Sequence, residues 1–189
     1  AFEQAYVGRA LDDPPSWSGA HWYGSPQYYF SPHGIEVARE VYGKKFHKSG
    51  ADLDDWTTEF VQGLATEAPD VPDSLRYDGE MTDRAIRALG ELKGQPFFLA
   101  VGYLKPHLPF VAPKKYWDLY DRASLTLPSP ATAPQNAPAL ALTYSSELRG
   151  QYTNMSNEPV SEAQTREVRL GYYACVSYVD ALIGRLLGE

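Results

Sequence analysis

The chain has one cysteine, Cys175, among 189 residues. A single thiol cannot close an internal disulfide, and it excludes a zinc site built on paired cysteines. Basic residues are also short. Seventeen Lys and Arg against 24 Asp and Glu give a net charge of −7. That balance speaks against a nucleic-acid partner, which needs a basic face to neutralise phosphates. It gives no reason to expect a membrane surface either. Long hydrophobic runs are missing. The longest, over residues 97–103, is far shorter than the roughly twenty residues a membrane-spanning helix needs. The opening Ala1-Phe2-Glu3-Gln4 lacks the basic start and apolar stretch of a signal peptide. The absent initiator Met adds to the expectation that the sequence is an internal section of something longer. With no disulfide to decide it, the compartment stays open between cytoplasm, periplasm and secretion.

What is present argues for a packed fold. Fourteen Tyr and four Trp are far more aromatic surface than a disordered chain carries. Residues 1–34 hold Pro14, Pro15, Pro26 and Pro32 among Gly, Ser and aromatics, which reads as irregular but packed. A short helix is expected over 35–42, with Ile35, Ala38, Val41 and Tyr42 on one face. Residues 43–77 are mixed and polar, and Pro69 and Pro72 argue against regular structure there.

Met81, Ala85, Ala88, Leu89 and Leu92 then recur at helical spacing, with Asp83, Arg84, Arg87 and Glu91 opposite. Lys93-Gly94-Gln95-Pro96 ends that helix. Phe97-Phe98-Leu99-Ala100-Val101-Gly102-Tyr103 follows as a continuous apolar run. Such a run fits a strand buried on both faces of a parallel sheet. Residues 123–159, with five prolines, read as a long loop, a feature that is often functional. Ser161-Glu162-Ala163-Gln164 matches a capping box. The stripe Val168, Tyr172, Cys175, Val176, Val179, Ile183 and Leu186 behind it predicts a final helix. The fold class is therefore α/β, a central parallel sheet flanked by helices. Only one strand is clearly legible, too little sheet for two amphipathic helices, so the fold is expected to be incomplete.

Ligands in open α/β sheets bind beyond the carboxyl ends of strands. The expected strand leads into Lys105-Pro106-His107-Leu108-Pro109-Phe110. A cation beside an imidazole suits an anion, and His can donate a hydrogen bond or a proton. The alternative is an ordinary loop histidine beside a solvated lysine.

The run from Pro96 through Tyr103, with Lys105-Pro106-His107 and Pro109-Phe110, resembles the core segment of iduronate-2-sulfatase-like sulfatases. The likeness continues through Pro113-Lys114-Lys115-Tyr116-Trp117-Asp118-Leu119-Tyr120. It extends to Asp70-Val71-Pro72-Asp73, to the helix containing Ala85-Ile86, to Tyr172 through Asp180, and to Asp12-Asp13-Pro14-Pro15-Ser16-Trp17-Ser18. The resemblance implies an alkaline-phosphatase-like architecture, of which residues 1–189 would be the middle of the catalytic domain. It implies a parent that hydrolyses sulfate esters, on a sulfated carbohydrate, with calcium and a formylglycine made from a Cys-x-Pro-Ser/Ala-Arg motif. It places His107 on the sulfate as a catalytic group, with Lys105 as a second sulfate-binding residue. A periplasmic or secreted parent goes with that reading.

Much of that machinery is missing from these residues. No Cys-x-Pro-x-Arg occurs, nor does the family's Asp-His-Gly segment follow the last helix. Cys175 reads as a small buried hydrophobe, and no metal ligands are assigned. Asp12-Asp13 and Asp54-Asp55 follow no apolar strand and read as loop or cap residues. Gly43-Lys44-Lys45-Phe46-His47 imitates the family's Gly-Lys-x-Phe-His motif. It follows a charged helix-like stretch and comes after Ser16-Trp17-Ser18, so Lys44 and His47 are expected to be a decoy. His21 and His33 read as ordinary loop histidines. The chain alone is expected to be inactive. The competing readings are a non-catalytic α/β anion-binding module or decayed sulfatase and, more weakly, a phosphatase or phosphodiesterase of the same superfamily.

Overall fold

The computed structural model describes residues 18–19, 22, 27–58, 60–74, 77–129, 132–142, 147–155 and 159–189. Asp12, Asp13, Trp17 and His21 lie outside the described residues, so the expectations placed on them are not addressed by it.

The first helix, α1 (Pro32–Phe46), starts where the Ser31 hydroxyl accepts the Gly34 amide at 3.0 Å. Pro32 supplies a pre-set φ in the first turn. The helix buries Ala38 and Tyr42, as expected, but outruns the expected 35–42 at both ends. Lys44 and Lys45 in its last turn suit the negative end of the helix dipole, and His47 closes it in the left-handed region at φ 55. The expectation of no regular structure over 43–77 is corrected twice. Gly50–Thr58 is a 3-10 segment that tucks Trp56 into the core. Thr66–Glu67 is a short strand, β1.

The second helix, α2 (Asp78–Leu92), buries Asp78, Thr82 and Ala85. Gly94, at φ 89, takes the left-handed position after it, as the sequence predicts. The expectation of a buried strand over 97–103 is not met. The segment pairs with no strand among the described residues, and Phe98 is 79% exposed. A continuous apolar run signals burial on both faces, but here only Tyr103, at its end, packs against the main core. The parallel pairing lies elsewhere. β1 pairs with β2 (Phe110–Val111), Thr66 opposite Phe110 and Glu67 opposite Val111. Parallel strands need a crossover, and the chain from 68 to 109, including α2, supplies it.

After β2, Lys114–Trp117 forms a single helical turn, α3. The loop over 123–159 is long, as expected, with brief 3-10 turns at Arg122–Ser124 and Ala139–Ala141. It is tied down at Thr153, whose amide reaches the Gly63 carbonyl at 2.8 Å. Tyr152 and Met155 form a small core with Ala65.

The last helix, α4 (Glu162–Leu187), opens with the expected capping box, Ser161 and Gln164 satisfying each other's backbone. Its buried face shares only Cys175 with the predicted stripe. Leu170, Gly171, Ala174, Cys175, Tyr178 and Leu182 are buried, whereas Tyr172, Val176 and Ile183 are each about two-fifths exposed. The helix is apolar on two sides, and volume decides which one packs. A Cβ on Gly171 would come within 2.8 Å of both Phe110 and Trp117, so only glycine lets α4 descend onto β2. No described helix is long and apolar enough to cross a membrane.

Glu67 joins these pieces. Its buried carboxylate accepts the amides of Phe30 (2.9 Å) and Ser31 (3.1 Å) and the Ser31 hydroxyl (2.5 Å). It thus fixes the start of α1 from the sheet. Replacing Glu67 with Gln turns an acceptor into a donor facing donors. The expected loss is about 1.5–3 kcal/mol, measured as a lowered midpoint in urea; an unchanged midpoint would remove Glu67 from this role. In contrast, Phe98→Asp should leave the same midpoint within about 0.5 kcal/mol, because most of that ring is exposed.

Candidate functional site

The segment carrying Lys105 and His107 is built from the start of α2. Tyr77 turns at φ 74, no side chain caps the helix from that position, and the Asp78 side chain faces inward. Its two oxygens accept the amides of Leu104 (2.8 Å) and Lys105 (3.0 Å). Thr82, one turn on, meets the Tyr103 hydroxyl at 3.0 Å. The chain leaving 97–103 is therefore clamped to α2 just before the basic segment. Burial holds the Asp78 carboxyl above its usual range. The two amides and the Lys105 ammonium pull it back down.

Lys105 is buried, with 7% of its surface exposed. Its ammonium donates to the Pro109 carbonyl at 2.6 Å and the His107 carbonyl at 3.1 Å. The same charge lies 5.1 Å above the Tyr28 ring. The alternative of a solvated lysine is thereby corrected: Lys105 closes the 105–109 loop from inside. Both Lys105–Pro106 and Leu108–Pro109 are cis. Beside Lys105 is a cavity of about 10 Å³, lined by Gln27, Tyr28, Asp78 and Tyr178 among others. That is space for no more than about one water.

His107 sits on the outer side of the loop with its side chain about half-exposed. Nδ1 lies 2.7 Å from the Leu108 carbonyl oxygen, and Nε2 lies 3.3 Å from a carboxylate oxygen of Glu147. Lys105 and His107 are thus brought together, one facing in and one facing out. Sequence reasoning missed Asp78, Glu67 and Glu147. A buried Asp opening an uncapped helix was the available signal for Asp78. Glu147 carried none, since its place depends on a loop folding back.

The other candidates lie apart. Lys44 is exposed on the last turn of α1 and pairs with Glu40. His47 is that helix's left-handed cap. The motif-like stretch is therefore helical surface rather than the end of a strand. Asp54 and Asp55 lie on the 3-10 segment, with Asp54 paired to Arg39. His33 lies in the first turn of α1, where a loop residue was expected. Cys175 is fully buried, its thiol facing the Val111 carbonyl at 3.7 Å and pushed up to about 12 by burial. Among the described residues no group of three or more His, Cys, Asp or Glu could hold a metal ion.

The sulfatase family model matches residues 25–189, and the chain belongs to that family. The α/β reading stands with it: a helical chain around a small parallel sheet, part of an alkaline-phosphatase-like fold. Among its relatives, iduronate 2-sulfatase of Mus musculus is 37% identical over 129 residues, 64% of this chain and 23% of that one. The Homo sapiens iduronate 2-sulfatase is 38% identical over 126 residues, covering 62% and 23%. Choline-sulfatase of Rhizobium meliloti (strain 1021) is 25% identical over 173 residues, covering 82% and 32%. The chain thus spans about a quarter to a third of the length of these curated relatives.

The raised Asp78 gives a pH test. A carboxyl raised on folding takes up protons as the chain folds. Its contribution to stability is fullest below the unfolded carboxyl range and is lost as pH rises through the folded value. The stability of Asp78→Asn relative to wild type should therefore improve as pH rises through that window. Urea unfolding at several pH values reads this, and a flat difference would contradict it.

Proposed function

We propose that residues 1–189 are the middle section of the catalytic domain of a sulfuric ester hydrolase, with His107 contacting the sulfate group. The observation that carries this is the arrangement around His107. The loop is fixed from inside by Asp78 and Lys105, while the imidazole alone is turned outward on a rigid base. Family membership supplies the chemistry to which that arrangement is suited.

With Nδ1–H given to the Leu108 carbonyl, the imidazolium form of a ring so held can donate Nε2–H to a sulfate oxygen or hand that proton to the leaving alkoxide. Lys105 binds sulfate at one remove. Its ammonium is engaged by two carbonyls, so it adds positive potential behind His107 and keeps the loop closed. The family's calcium and formylglycine find no fit in the described residues. The buried carboxylates Glu67 and Asp78 are committed to backbone amides, and Cys175 stands outside any Cys-x-Pro-x-Arg motif. The 189 residues are accordingly inactive alone, and the nucleophile belongs to the remainder of the domain.

A sulfated carbohydrate is the substrate class this reading favours, on the strength of the iduronate 2-sulfatases among the relatives. Choline-sulfatase is the counterweight. In a chain extended to the family's full length, His107→Ala should lower kcat/KM on a sulfated uronic acid by about 100-fold or more. The 189-residue chain should not turn over an aryl sulfate. A loss below about threefold for His107→Ala, or turnover by the short chain, would overturn the assignment. Faster turnover of choline sulfate than of the uronic acid would overturn the carbohydrate reading alone. Finding no sulfate-ester turnover at all in the extended chain, with anion binding retained, would put the binding-module reading in its place.

A further inference from the structure

Two acceptors compete for the His107 ring. The Leu108 carbonyl, 2.7 Å from Nδ1, belongs to the same loop and sets the roll of the ring. Nε2, at the far corner, is then the nitrogen that extends toward a ligand. Glu147 lies on that side, 3.3 Å away. An anion reaching Nε2 must approach a carboxylate already there.

Glu147 is not placed there by a drifting loop. Its neighbour Leu148 packs on the small core of Ala65, Tyr152 and Met155. Further along the loop, the Asn154 side chain accepts the Ala65 amide at 2.8 Å. The Lys105 ammonium is bound to the loop carbonyls, and Asp78 holds the Lys105 amide. Glu147 is a negative charge in contact with the Nε2 side of the ring.

The geometry points to Glu147 as a charge-selecting residue, one that favours a singly charged sulfate ester over a doubly charged phosphate monoester at His107. This rests on the reading of His107 as the sulfate contact. The two esters are both tetrahedral and nearly the same size, so shape separates them poorly. Charge separates them well. A sulfate ester carries one negative charge, whereas a phosphate monoester, with its second pKa near about 6, carries almost two at neutral pH. Repulsion by a fixed carboxylate grows in proportion to the charge of the ligand. Both His107 and Glu147 are about half-exposed, so solvent and salt reduce the effect.

The test is binding of phenyl sulfate and phenyl phosphate to the chain extended to the family's full length, at about pH 8, where the phosphate is a dianion. The ring signals of His107 report it by NMR, and circular dichroism checks that each variant is folded. For Glu147→Gln, phenyl phosphate should tighten by about three- to tenfold more than phenyl sulfate. Glu147→Asp, which keeps the charge, should keep the wild-type ratio. If both esters bind through His107 but Glu147→Gln moves them equally or weakens both, the inference falls and the reading of His107 stands. If neither ester binds, or His107→Asn binds them as well as wild type does, the reading of His107 falls and takes the inference with it.

Discussion

The Asp78 carboxylate and the Lys105 ammonium, both buried, underlie the site through the backbone groups they hold. The carboxylate holds the backbone of 104 and 105, and the ammonium holds the carbonyls of 107 and 109. Each charge is satisfied by peptide groups that would otherwise be stranded away from water. The loop is thus gripped at its start by one charge and at its end by the other. His107 is the residue left pointing outward. Removing either charge would strand the peptide groups it holds, two amides or two carbonyls, away from water.

Glu67 repeats the device on the other strand. There a carboxylate gathers the amides at the start of α1, where the helix dipole also favours negative charge. In both places an acidic side chain stands in for regular pairing. Among the described residues the sheet has two short strands, so little of their backbone is satisfied by a ladder. Side chains take over that work, and a chain rich in Asp and Glu can supply them.

The helices were legible in the sequence to different depths. The capping box at Ser161 and the glycine stop after α2 were readable because both are local, set by neighbours within a few positions. The parallel class of the sheet was legible too, but not its location. Residues 97–103 carried the strongest strand signal and form no pair among the described residues, while Thr66–Glu67 and Phe110–Val111 carried almost none and do. Apolarity reports that a segment is meant for burial, not what buries it. At the site, position along the chain was enough to single out Lys105 and His107. Their opposite orientations were not visible, because they follow from Asp78, 27 residues upstream of Lys105, and from a loop that brings Glu147 back.

The closeness of α4 to β2 has a consequence for how such a helix tolerates change. With apolar side chains on two sides, its rotation about its own axis is not encoded in polarity. Polar-for-apolar exchange on either side would alter solubility or contact area without naming a preferred roll. The encoding lies in bulk, at Gly171, Ala174 and Cys175, where the sheet and Trp117 need room. A single methyl group there is a stronger instruction than several changes of hydropathy, and divergence in this helix should be governed by side-chain size along one line and left comparatively free along the other.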